Sequence, residues 1–434
     1  MTRARPLAPE DGAADPQPDI ALAMRLFAEL RLRTGAGRGI TRASYGLGEQ
    51  IAHDMVRREA RRLGLDCRID AACNLYMTLR GRNAGPAVVI GSHLDSVPMG
   101  GNFDGAAGVL AGLAVLAGYR ARGVVPPRDV TVMAIRAEES TWFGASYIGS
   151  RAAFGRLAAA ELDGVLRAGD RVALGRAIDA AGGDTTALRA GAGLNPEDIA
   201  AFIEPHIEQG PVLVTRGRPV GIVTGIRGSF RHRHAVCTGA YAHSGATPRE
   251  VRQDAVMAVA RLAVRLDDTW QRLASEGHDL TVTFGQMMTE AGEAAFSKVA
   301  GRVEFSVDIR SQSHATLDLM RAELRAAVAQ TEADCRVRFD LGAETASAPA
   351  LMDRQIIADL ADIAQTQGAG AEVMPCGAGH DAAVFAQMGV PTGMLFIRNR
   401  NGSHNPDEAM EIDDFAVAAR ILSAFCLQDH PAGP

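Results

Sequence analysis

Residues 87–123 read AVVIGSHLDSVPMGGNFDGAAGVLAGLAVLAGYRARG, and this stretch decides the fold. The apolar run at its start is short, β-branched and closed by Gly91 and Ser92, which is typical of a buried parallel strand. A glycine loop follows, and then a helix of alanine, leucine and valine. A second apolar run, DVTVMAI, begins at Asp129 after two prolines. Strand, loop, helix and strand in this order predict a parallel α/β sheet.

From residue 222 the order of the predicted elements changes. We expect a strand at 229–238, a helix at 249–266, strands at 280–288 and 301–310, a helix at 313–331 and a strand at 334–341. This βαββαβ order predicts a compact α+β domain. The α/β pattern then resumes with a helix at 353–367, a strand at 391–397 and a helix at 412–427. The sequence therefore predicts a discontinuous α/β domain, 19–221 and 342–434, with a mixed, mainly parallel sheet flanked by helices, and an inserted domain, 222–341.

Length and composition agree with two globular domains. A chain of 434 residues is too long for one hydrophobic core. Its 22% of charged residues is an ordinary globular share. The formal net charge of −6 disfavours a nucleic-acid or anionic-membrane partner, because such binding needs a basic face.

The ends of the chain and its cysteines indicate the setting. Residues 1–18 are rich in Pro, Ala and Asp and lack an apolar segment, so we expect a disordered tail and no signal peptide. No apolar run approaches the roughly 20 residues of a membrane helix. The six cysteines form no CxxC pair, and a chain of this size needs no disulfides. We therefore expect a soluble, cytoplasmic protein with free thiols.

The first group of chemically suggestive residues is in GSHLDSVPMGGNFDG (91–105). His93 and Asp95 lie two residues apart at a strand end, so their side chains point the same way. Metal-bound histidines usually donate their second ring nitrogen to a carboxylate, and Asp95 is placed to accept it. Asp104, behind the glycines, could bridge two cations. Alone, the His-x-Asp pair would indicate a surface turn, but the glycine loop and third acid favour a ligand site.

Glu138 and Glu139 follow the second apolar run. Adjacent acids on an extended chain project in opposite directions, so one can bind metal while the other takes a proton from water. The alternative is a solvated acidic turn, which the position at a strand end disfavours.

His206, in FIEPHIEQG, and His404, in NGSHNPDE, complete the set. Each histidine alone is more often structural than a ligand. Both follow predicted strands, however. With His93, Asp104 and one of the two glutamates, they bring the ligand count to five. Five ligands suit two cations with a shared carboxylate.

Eight ordered motifs resemble one known family. They are GSHLDSVPMGGNFDG, AEES…FGASYIGSRA, PHIEQGPVL, TGIRG, AHSGATP, VDIR, GAGHDA and SHNPDE. Together they resemble the hydantoinase/carbamoylase branch of the M20 metallopeptidase-like hydrolases, from about residue 20 to 428. This branch includes N-carbamoyl-L-amino acid hydrolases, allantoate amidohydrolases and β-ureidopropionases. The histidine of PHIEQGP indicates the branch, since related peptidases have a carboxylate at that position.

The resemblance implies which residues bind each of two metal ions. His93 and Glu139 belong to separate ions, with Asp104 bridging them. His206 joins one ion and His404 the other. The ligand types suit Zn²⁺, Mn²⁺, Co²⁺ or Ni²⁺.

The resemblance also implies roles around the ions. Glu138 is the general base that activates a metal-bridged water, and Asp95 orients His93. His243, in AHSGATP, reaches the active site of a partner subunit and stabilises the tetrahedral oxyanion. The inserted domain, 222–341, is then a lid and dimerisation domain of a homodimer. As an alternative, His243 is an ordinary exposed loop histidine.

Three further positions resemble substrate contacts: Gln209, Arg310 and His380. Arg310 would hold a substrate carboxylate. It could instead pair only with Asp308 or another neighbour. Likewise, His380 and Asp381 could form a helix N-terminal cap.

One position departs from the family pattern. Where relatives carry an asparagine that helps hold the substrate carboxylate, this chain has Ser297, in EAAFSKVAG (293–301). Serine is shorter and lacks an amide's combined donor and acceptor. The substrate could therefore differ from the usual one.

The expected reaction is hydrolysis of a linear amide or ureide C–N bond. The leading expectation is an N-carbamoyl-L-amino acid, giving the amino acid, CO₂ and NH₃. Alternatives are an allantoate or ureidoglycolate-type ureide, or an N-acyl amino acid or dipeptide. A metal-free binding protein is a further alternative, which the full set of ligands and the base disfavour.

Overall fold

A computed structural model describes residues 16–429. The first fifteen residues of the predicted tail lie outside this range. Its last three residues are packed: the carbonyl of Pro16 accepts a hydrogen bond from Ser423 Oγ at 3.0 Å, and that of Gln17 accepts one from Arg122 Nη1 at 2.8 Å.

The described residues form two compact units. The larger unit runs to Thr224 and includes Met352–Met374 and the chain from His380 onward. The smaller unit comprises Gly225–Leu351 and Pro375–Gly379.

The larger unit carries most of the helices. Its α-helices are Ile20–Thr34, Leu47–Arg62, Ala106–Arg122, Ser140–Phe143, Ile148–Ala153, Ala159–Gly164, Leu174–Ala180, Thr185–Arg189, Val212–Arg216, Arg354–Thr366, Ala382–Gln387 and Ile412–Cys426, with a 3₁₀ turn at Pro196–Asp198. Its short two-residue strands are Gly35–Ala36, Gly39–Ile40, Asn399–Arg400 and Ala409–Met410.

A mixed sheet runs through the larger unit. Neighbouring strands follow the order Val220–Ile226, Thr392–Ile397, Ile199–Ile207, Ala87–His93, Val130–Ile135, Leu75–Leu79 and Asp66–Ile69, and Ala371–Cys376 pairs with the first of these. The four central strands, Thr392–Ile397 through Val130–Ile135, pair in parallel. Val220–Ile226 pairs antiparallel with Thr392–Ile397, and Leu75–Leu79 pairs antiparallel with both Val130–Ile135 and Asp66–Ile69.

The prediction of a mixed α/β sheet is confirmed, but "mainly parallel" holds only at its centre. Burial distinguishes the parallel block from the exposed edge strand, although the antiparallel strands Leu75–Leu79 and Val220–Ile226 are buried as well. The four parallel strands are buried almost throughout, because helices cover both faces, as continuous apolar runs require. Asp66–Ile69 is largely exposed, and an exposed edge can be antiparallel because it needs no covering crossover.

Helix Ala106–Arg122 packs against this parallel block. It is buried from Ala106 to Tyr119. Small residues are needed there: a Cβ at Gly108 would lie 2.0 Å from the carbonyl oxygen of Pro205. Gly105, just before the helix, has φ of +65°, and a Cβ there would lie 2.5 Å from the ring of His93. The glycines therefore let the helix start close to two site strands.

The smaller unit is an antiparallel sheet with two long helices. Thr281–Thr289, Arg302–Ser311 and Gly228–Thr238 are neighbours in that order, and Arg338–Asp340 and Glu344–Ser347 both pair with Gly228–Thr238. Its helices are Ala255–Ser275 and His314–Cys335, with a 3₁₀ turn at Arg249–Val251. The short strands are Ala242–His243, Lys298–Val299 and Ala350–Leu351.

The predicted helix at 249–266 was wrong at both ends. The α-helix begins after Asp254, whose carboxylate accepts a hydrogen bond from the backbone N–H of Met257 at 3.1 Å. This side-chain cap, not the proline at 248, marks the start. The helix then continues to Ser275.

Two general expectations can be compared with the described residues. Between residues 16 and 429, no helix is both long and apolar enough to cross a membrane. None of the six cysteines, which all fall in that range, forms a disulfide.

Candidate metal centre

Each predicted metal ligand follows or ends a strand of the parallel block, or lies in the loop after one. His93 ends Ala87–His93, and His206 is the penultimate residue of Ile199–Ile207. Glu139 follows Val130–Ile135, and His404 follows Thr392–Ile397. Parallel strands place their carboxyl ends on one edge of the sheet, which is where open α/β sheets bind ligands.

Three of these side chains form a first, buried cluster. The Nε2 atom of His206 lies 3.1 Å from Asp104 Oδ1, and Nε2 of His93 lies 3.6 Å from the same oxygen. The two Nε2 atoms are 3.4 Å apart. His93, Asp104 and His206 thus offer three ligand atoms around one point.

Contacts at the Nδ1 atoms fix the orientation of the two histidine rings in this cluster. His206 Nδ1 lies 2.8 Å from the carbonyl oxygen of Ile207, so Nδ1 donates and Nε2 is the lone-pair atom. His93 Nδ1 lies 3.2 Å from the carbonyl oxygen of Asp95 and 3.3 Å from its Oδ1. Both histidines therefore present Nε2 to Asp104, as metal-binding histidines do.

A second cluster is more open. His404 Nε2 lies 3.4 Å from Asp104 Oδ2 and 3.5 Å from Glu139 Oε1. Asp104 and Glu139 are buried, but 52% of the His404 side chain is exposed. Asp104 is common to both clusters, with one oxygen directed to each.

The chemistry of these residues fits divalent cations. Asp104 Oδ1 is buried and has no hydrogen-bond partner among the described residues. Burial raises the pKa of Glu139 to about 7, with a further contribution from the charge of Asp104. A divalent cation would satisfy the unpartnered oxygen and stabilise the ionised carboxylates that burial otherwise disfavours.

Glu138 lies beside the first cluster without joining it. Its Oε2 atom is 3.9 Å from His93 Nε2. Burial, and then the charges of Glu139, Asp381 and Asp95, raise the pKa of Glu138 well above its usual value, although His93 opposes this. Glu138 is thus a buried carboxyl beside the first cluster and outside both, where a general acid–base group would lie.

Asp95 does more than contact His93. Its two carboxylate oxygens accept hydrogen bonds from the backbone N–H groups of Glu138 and Glu139, at 3.1 and 3.2 Å. The hydroxyl of Ser44 donates a third, at 2.6 Å. Asp95 therefore holds the segment that carries both glutamates.

His380 and Gln209 also lie at the centre. The buried ring of His380 is in edge contact with that of His206, with centroids 4.4 Å apart, and its Nε2 has no partner among the described residues. Gln209 Nε2 donates to Asp104 Oδ2 at 2.9 Å.

The capping alternative for residues 380 and 381 holds only in position: Asp381 is the N-cap residue of helix Ala382–Gln387, but its side chain does not cap the helix. The side chain of Asp381 makes no cap hydrogen bond and accepts one from Ser150 Oγ at 2.5 Å. The N–H of Ala382 instead donates to Glu204 Oε2 at 2.7 Å. The carboxylate of Glu204, in strand Ile199–Ile207, thus binds the helix N-terminus in place of the expected side chain.

Three predicted site residues belong to the smaller unit. His243 is exposed, and its Nδ1 accepts the N–H groups of Gly245 and Ala246, both at 3.2 Å, so Nε2 is the protonated nitrogen. Arg310 donates to Asp308 Oδ2 at 2.7 Å and to the carbonyl of Gly377 at 2.7 Å. The pairing with Asp308 is thus present, as the alternative to a substrate role predicts.

Ser297 is exposed and lies next to the His243 loop. Its carbonyl oxygen accepts the N–H of Ser244 at 2.9 Å, and His243 is the register partner of Lys298. Ser297, the position that departs from the family pattern, therefore lies in the same local structure as His243.

Some residues at the centre were not predicted. Ser403 Oγ lies 2.5 Å from Asp104 Oδ2 and 2.7 Å from Glu408 Oε2. Arg42 is fully buried, and its Nη2 lies 3.4 Å from the carbonyl oxygen of Asp104. Glu408 stands in the SHNPDE motif, which was a signal for it. Arg42 had no comparable signal, because its contacts are distant in sequence.

Comparison with known proteins identifies the family of the chain. The sequence model of peptidase family M20/M25/M40 matches residues 89–428, so the chain belongs to that family. Members depend on metal ions, and residues 16–429 of this chain contain two candidate ligand groups.

Within this family, the chain is similar to several amidohydrolases. The chain is 35% identical over 388 residues to an N-carbamoyl-L-amino acid amidohydrolase of Geobacillus stearothermophilus, covering 88% of this chain and 92% of the relative. It is 33% identical over 397 residues to an allantoate amidohydrolase of Escherichia coli, covering 90% and 93%. A hydantoinase/carbamoylase family amidase from Burkholderia ambifaria superposes with a TM-score of 0.83, at 31% identity, over 95% of this chain and 96% of that one.

The predicted resemblance is therefore confirmed. Within the family, the chain belongs to the hydantoinase/carbamoylase branch. It is an amidohydrolase that acts on linear, non-peptide C–N amide bonds.

Proposed function

We propose that this amidohydrolase hydrolyses an N-carbamoyl-L-amino acid to the amino acid, CO₂ and NH₃, using two divalent cations. The supporting observation is the carboxylate of Asp104, whose two oxygens face separate ligand groups. One group adds His93 and His206, and the other adds Glu139 and His404.

The cations, when bound, would polarise the scissile carbonyl and make water more acidic. Glu138 is the proposed base. Its carboxylate takes a proton from the attacking water as the water oxygen bonds to the carbonyl carbon. The same proton then passes to the departing nitrogen as the C–N bond breaks. The position of Glu138 supports this role, because its Oε2 lies 3.9 Å from His93 Nε2, beside the first cluster and outside both.

His243 is proposed to donate a hydrogen bond to the oxyanion in a partner subunit. Two backbone N–H groups occupy Nδ1, so the exposed Nε2–H is the available donor. This proposed role of His243 requires that the protein is a homodimer and that the smaller unit acts as a lid. The chain is further proposed to be cytoplasmic.

Substrate contacts are proposed for Arg310, Gln209, His380 and Ser297. Arg310 keeps a guanidinium that could bind a carboxylate, although Asp308 competes for it. Buried His380 has a ring nitrogen, Nε2, that no other residue in 16–429 hydrogen-bonds, and this nitrogen suits a polar substrate group.

Allantoate is the second candidate substrate. The relative from Escherichia coli, at 33% identity, is an allantoate amidohydrolase, and its similarity is close to that of the carbamoylase. Exposed Ser297, in place of an asparagine, also leaves room for a substrate with different polar groups. An N-acyl amino acid is a weaker alternative within the same class.

The test is a substrate panel with the purified protein, stripped of metal and reloaded separately with Zn²⁺, Mn²⁺, Co²⁺ or Ni²⁺. The panel contains several N-carbamoyl-L-amino acids, their D-enantiomers, allantoate, ureidoglycolate, and N-acetyl and N-formyl amino acids. Ammonia and free amino acid are both measured. Highest kcat/KM on an N-carbamoyl-L-amino acid is expected. Highest kcat/KM on allantoate would select the second candidate, and activity only on N-acyl amino acids would refute both.

A further inference from the structure

The loop that carries Asp104 is attached to a buried arginine at both of its ends. Arg42 Nε donates to the carbonyl of Leu94 at 2.6 Å, and Nη2 lies 3.4 Å from the carbonyl oxygen of Asp104. The backbone of Arg42 also exchanges hydrogen bonds with Ser96, at 3.0 and 2.9 Å. One fully buried side chain thus joins the start and the end of the loop.

Glu408 holds the same loop by its N–H groups. Its Oε1 accepts hydrogen bonds from the N–H of Phe103 at 2.9 Å and from that of Asp104 at 3.3 Å. Its Oε2 lies 2.7 Å from Ser403 Oγ, which lies 2.5 Å from Asp104 Oδ2. Glu408 therefore contacts the backbone of Asp104 directly and its carboxylate through one hydroxyl.

The loop is shaped to admit Glu408. A Cβ at Gly101 would lie 2.1 Å from both Cδ and Oε1 of Glu408. Real Cβ atoms do not approach other atoms this closely, so any side chain at this position would displace the carboxylate. The close approach of Glu408 therefore explains why the second residue of GGNFDG, Gly101, is a glycine.

Charge complements this geometry. Burial lowers the pKa of Arg42, and four carboxylates counteract it: Glu408, Asp104, Asp95 and Glu139. Arg42 Nη1 is buried and has no hydrogen-bond partner among the described residues. A guanidinium in this position offsets repulsion among the carboxylates that would bind cations.

We propose that Arg42 and Glu408, with Ser403, are positioning residues that hold Asp104 between the two ligand clusters and thereby set the affinity of both clusters for divalent cations. Arg42 binds the carbonyl side of the loop and Glu408 binds its N–H side. The proposal concerns cation binding and does not depend on which amide is cleaved. It rests only on the part of the proposed function that assigns cations to these clusters.

The experiment titrates metal-free protein with Co²⁺ and Zn²⁺, using Co²⁺ absorbance and competition with a chromophoric chelator. The variants are Arg42→Lys, Glu408→Gln, Ser403→Ala and Gly101→Ala, the last of which displaces Glu408 without changing any charge. Matched controls are the exposed neighbours Arg38→Lys and Asp407→Asn, which form a surface ion pair with each other. The thermal midpoint of each metal-free protein is measured in parallel.

All four variants are expected to bind cations about 10-fold to 100-fold more weakly, because substituting a residue that contacts a metal ligand typically weakens metal binding by that factor. The two controls should match the wild type. Excess cation should restore kcat in Glu408→Gln. Wild-type cation affinity in Glu408→Gln and Gly101→Ala would overturn the proposal, even if their thermal midpoints fell.

Two other outcomes are also decisive. If the other variants do not fold, Ser403→Ala decides alone, because it removes only one hydroxyl, and unchanged affinity in it would overturn the proposal. If the wild type does not bind two cations, the metal centre itself is refuted, which is distinct from failure of the positioning residues.

Discussion

Asp95 Oδ1 accepts a hydrogen bond from the backbone N–H of Glu138 at 3.1 Å. The other oxygen accepts the N–H of Glu139 at 3.2 Å. A residue expected only to orient His93 thus also fixes the positions of the proposed base and of one proposed ligand. Several functional groups of the centre share this single carboxylate.

Asp95→Asn should therefore impair more than one function. An amide replaces one acceptor oxygen by a donor, which would face an N–H group or the Ser44 hydroxyl. We expect kcat to fall about 10-fold to 100-fold and cation affinity to fall with it. Steady-state kinetics and metal analysis measure both. Asp66→Asn, at an exposed ion pair, is the control. Unchanged cation affinity would show that Asp95 acts on Glu138 alone.

Glu138→Gln and Glu139→Gln should separate two roles of neighbouring residues. Loss of a general base typically costs about 10²-fold to 10⁴-fold in rate, so Glu138→Gln should lose that much kcat and keep both cations. Glu139→Gln should lose affinity for one cation. Metal stoichiometry after gel filtration distinguishes them. Near-normal kcat in Glu138→Gln would remove its assignment as base.

The two clusters should release their cations at different rates. The side chains of His93 and His206 are almost completely buried, whereas 52% of the His404 side chain is exposed. A chelator should therefore remove one equivalent first, and His404→Ala should keep about one equivalent. Stopped-flow chelation measures the phases, with His314→Ala, an exposed helical histidine, as control. Release of both cations in a single phase would contradict this assignment.

His53 should make stability depend on pH. Burial, and then the charges of Arg136 and Arg57, lower its pKa well below 6.5, although an interaction with the Ile135 backbone opposes the shift. Between the folded and unfolded pKa values the unfolded chain binds more protons, so the free energy of unfolding should decrease as pH falls below 6.5. The loss from this group approaches about 1.4 kcal/mol per pH unit.

The comparison for His53 uses a variant without a titrating ring. His53→Gln should remove that part of the pH dependence, and it should also lower stability at neutral pH because glutamine packs imperfectly in the place of the buried ring. Urea unfolding of both proteins at several pH values from 5 to 8 gives the slopes. Equal slopes below pH 6.5 would contradict the assignment.

Sequence patterns located the proposed ligands because parallel strands end on one edge of a sheet. His93, His206 and His404 each follow a recognisable apolar run, and no contact map is needed to bring them together. Arg42 could not be found in this way, since its partners Leu94 and Asp104 are 52 and 62 residues away.

Element boundaries were less predictable for a related reason. Strand Leu75–Leu79 was not predicted, although it is buried and pairs with Val130–Ile135. Its short LYMTL pattern does not distinguish a strand from a helix without that neighbour. The start of helix Ala255–Ser275 depended on a side-chain cap that composition alone does not distinguish from other polar residues.

The close approach of Gly108 to Pro205 limits which sequences this enzyme can acquire. A single added methyl group would press on the strand residue that precedes His206. Variation at this position of the buried helix, which follows the Asp104 loop, is thus constrained by the proposed metal binding. Among diverging relatives, this position should therefore retain glycine even where the residues that recognise substrate have changed.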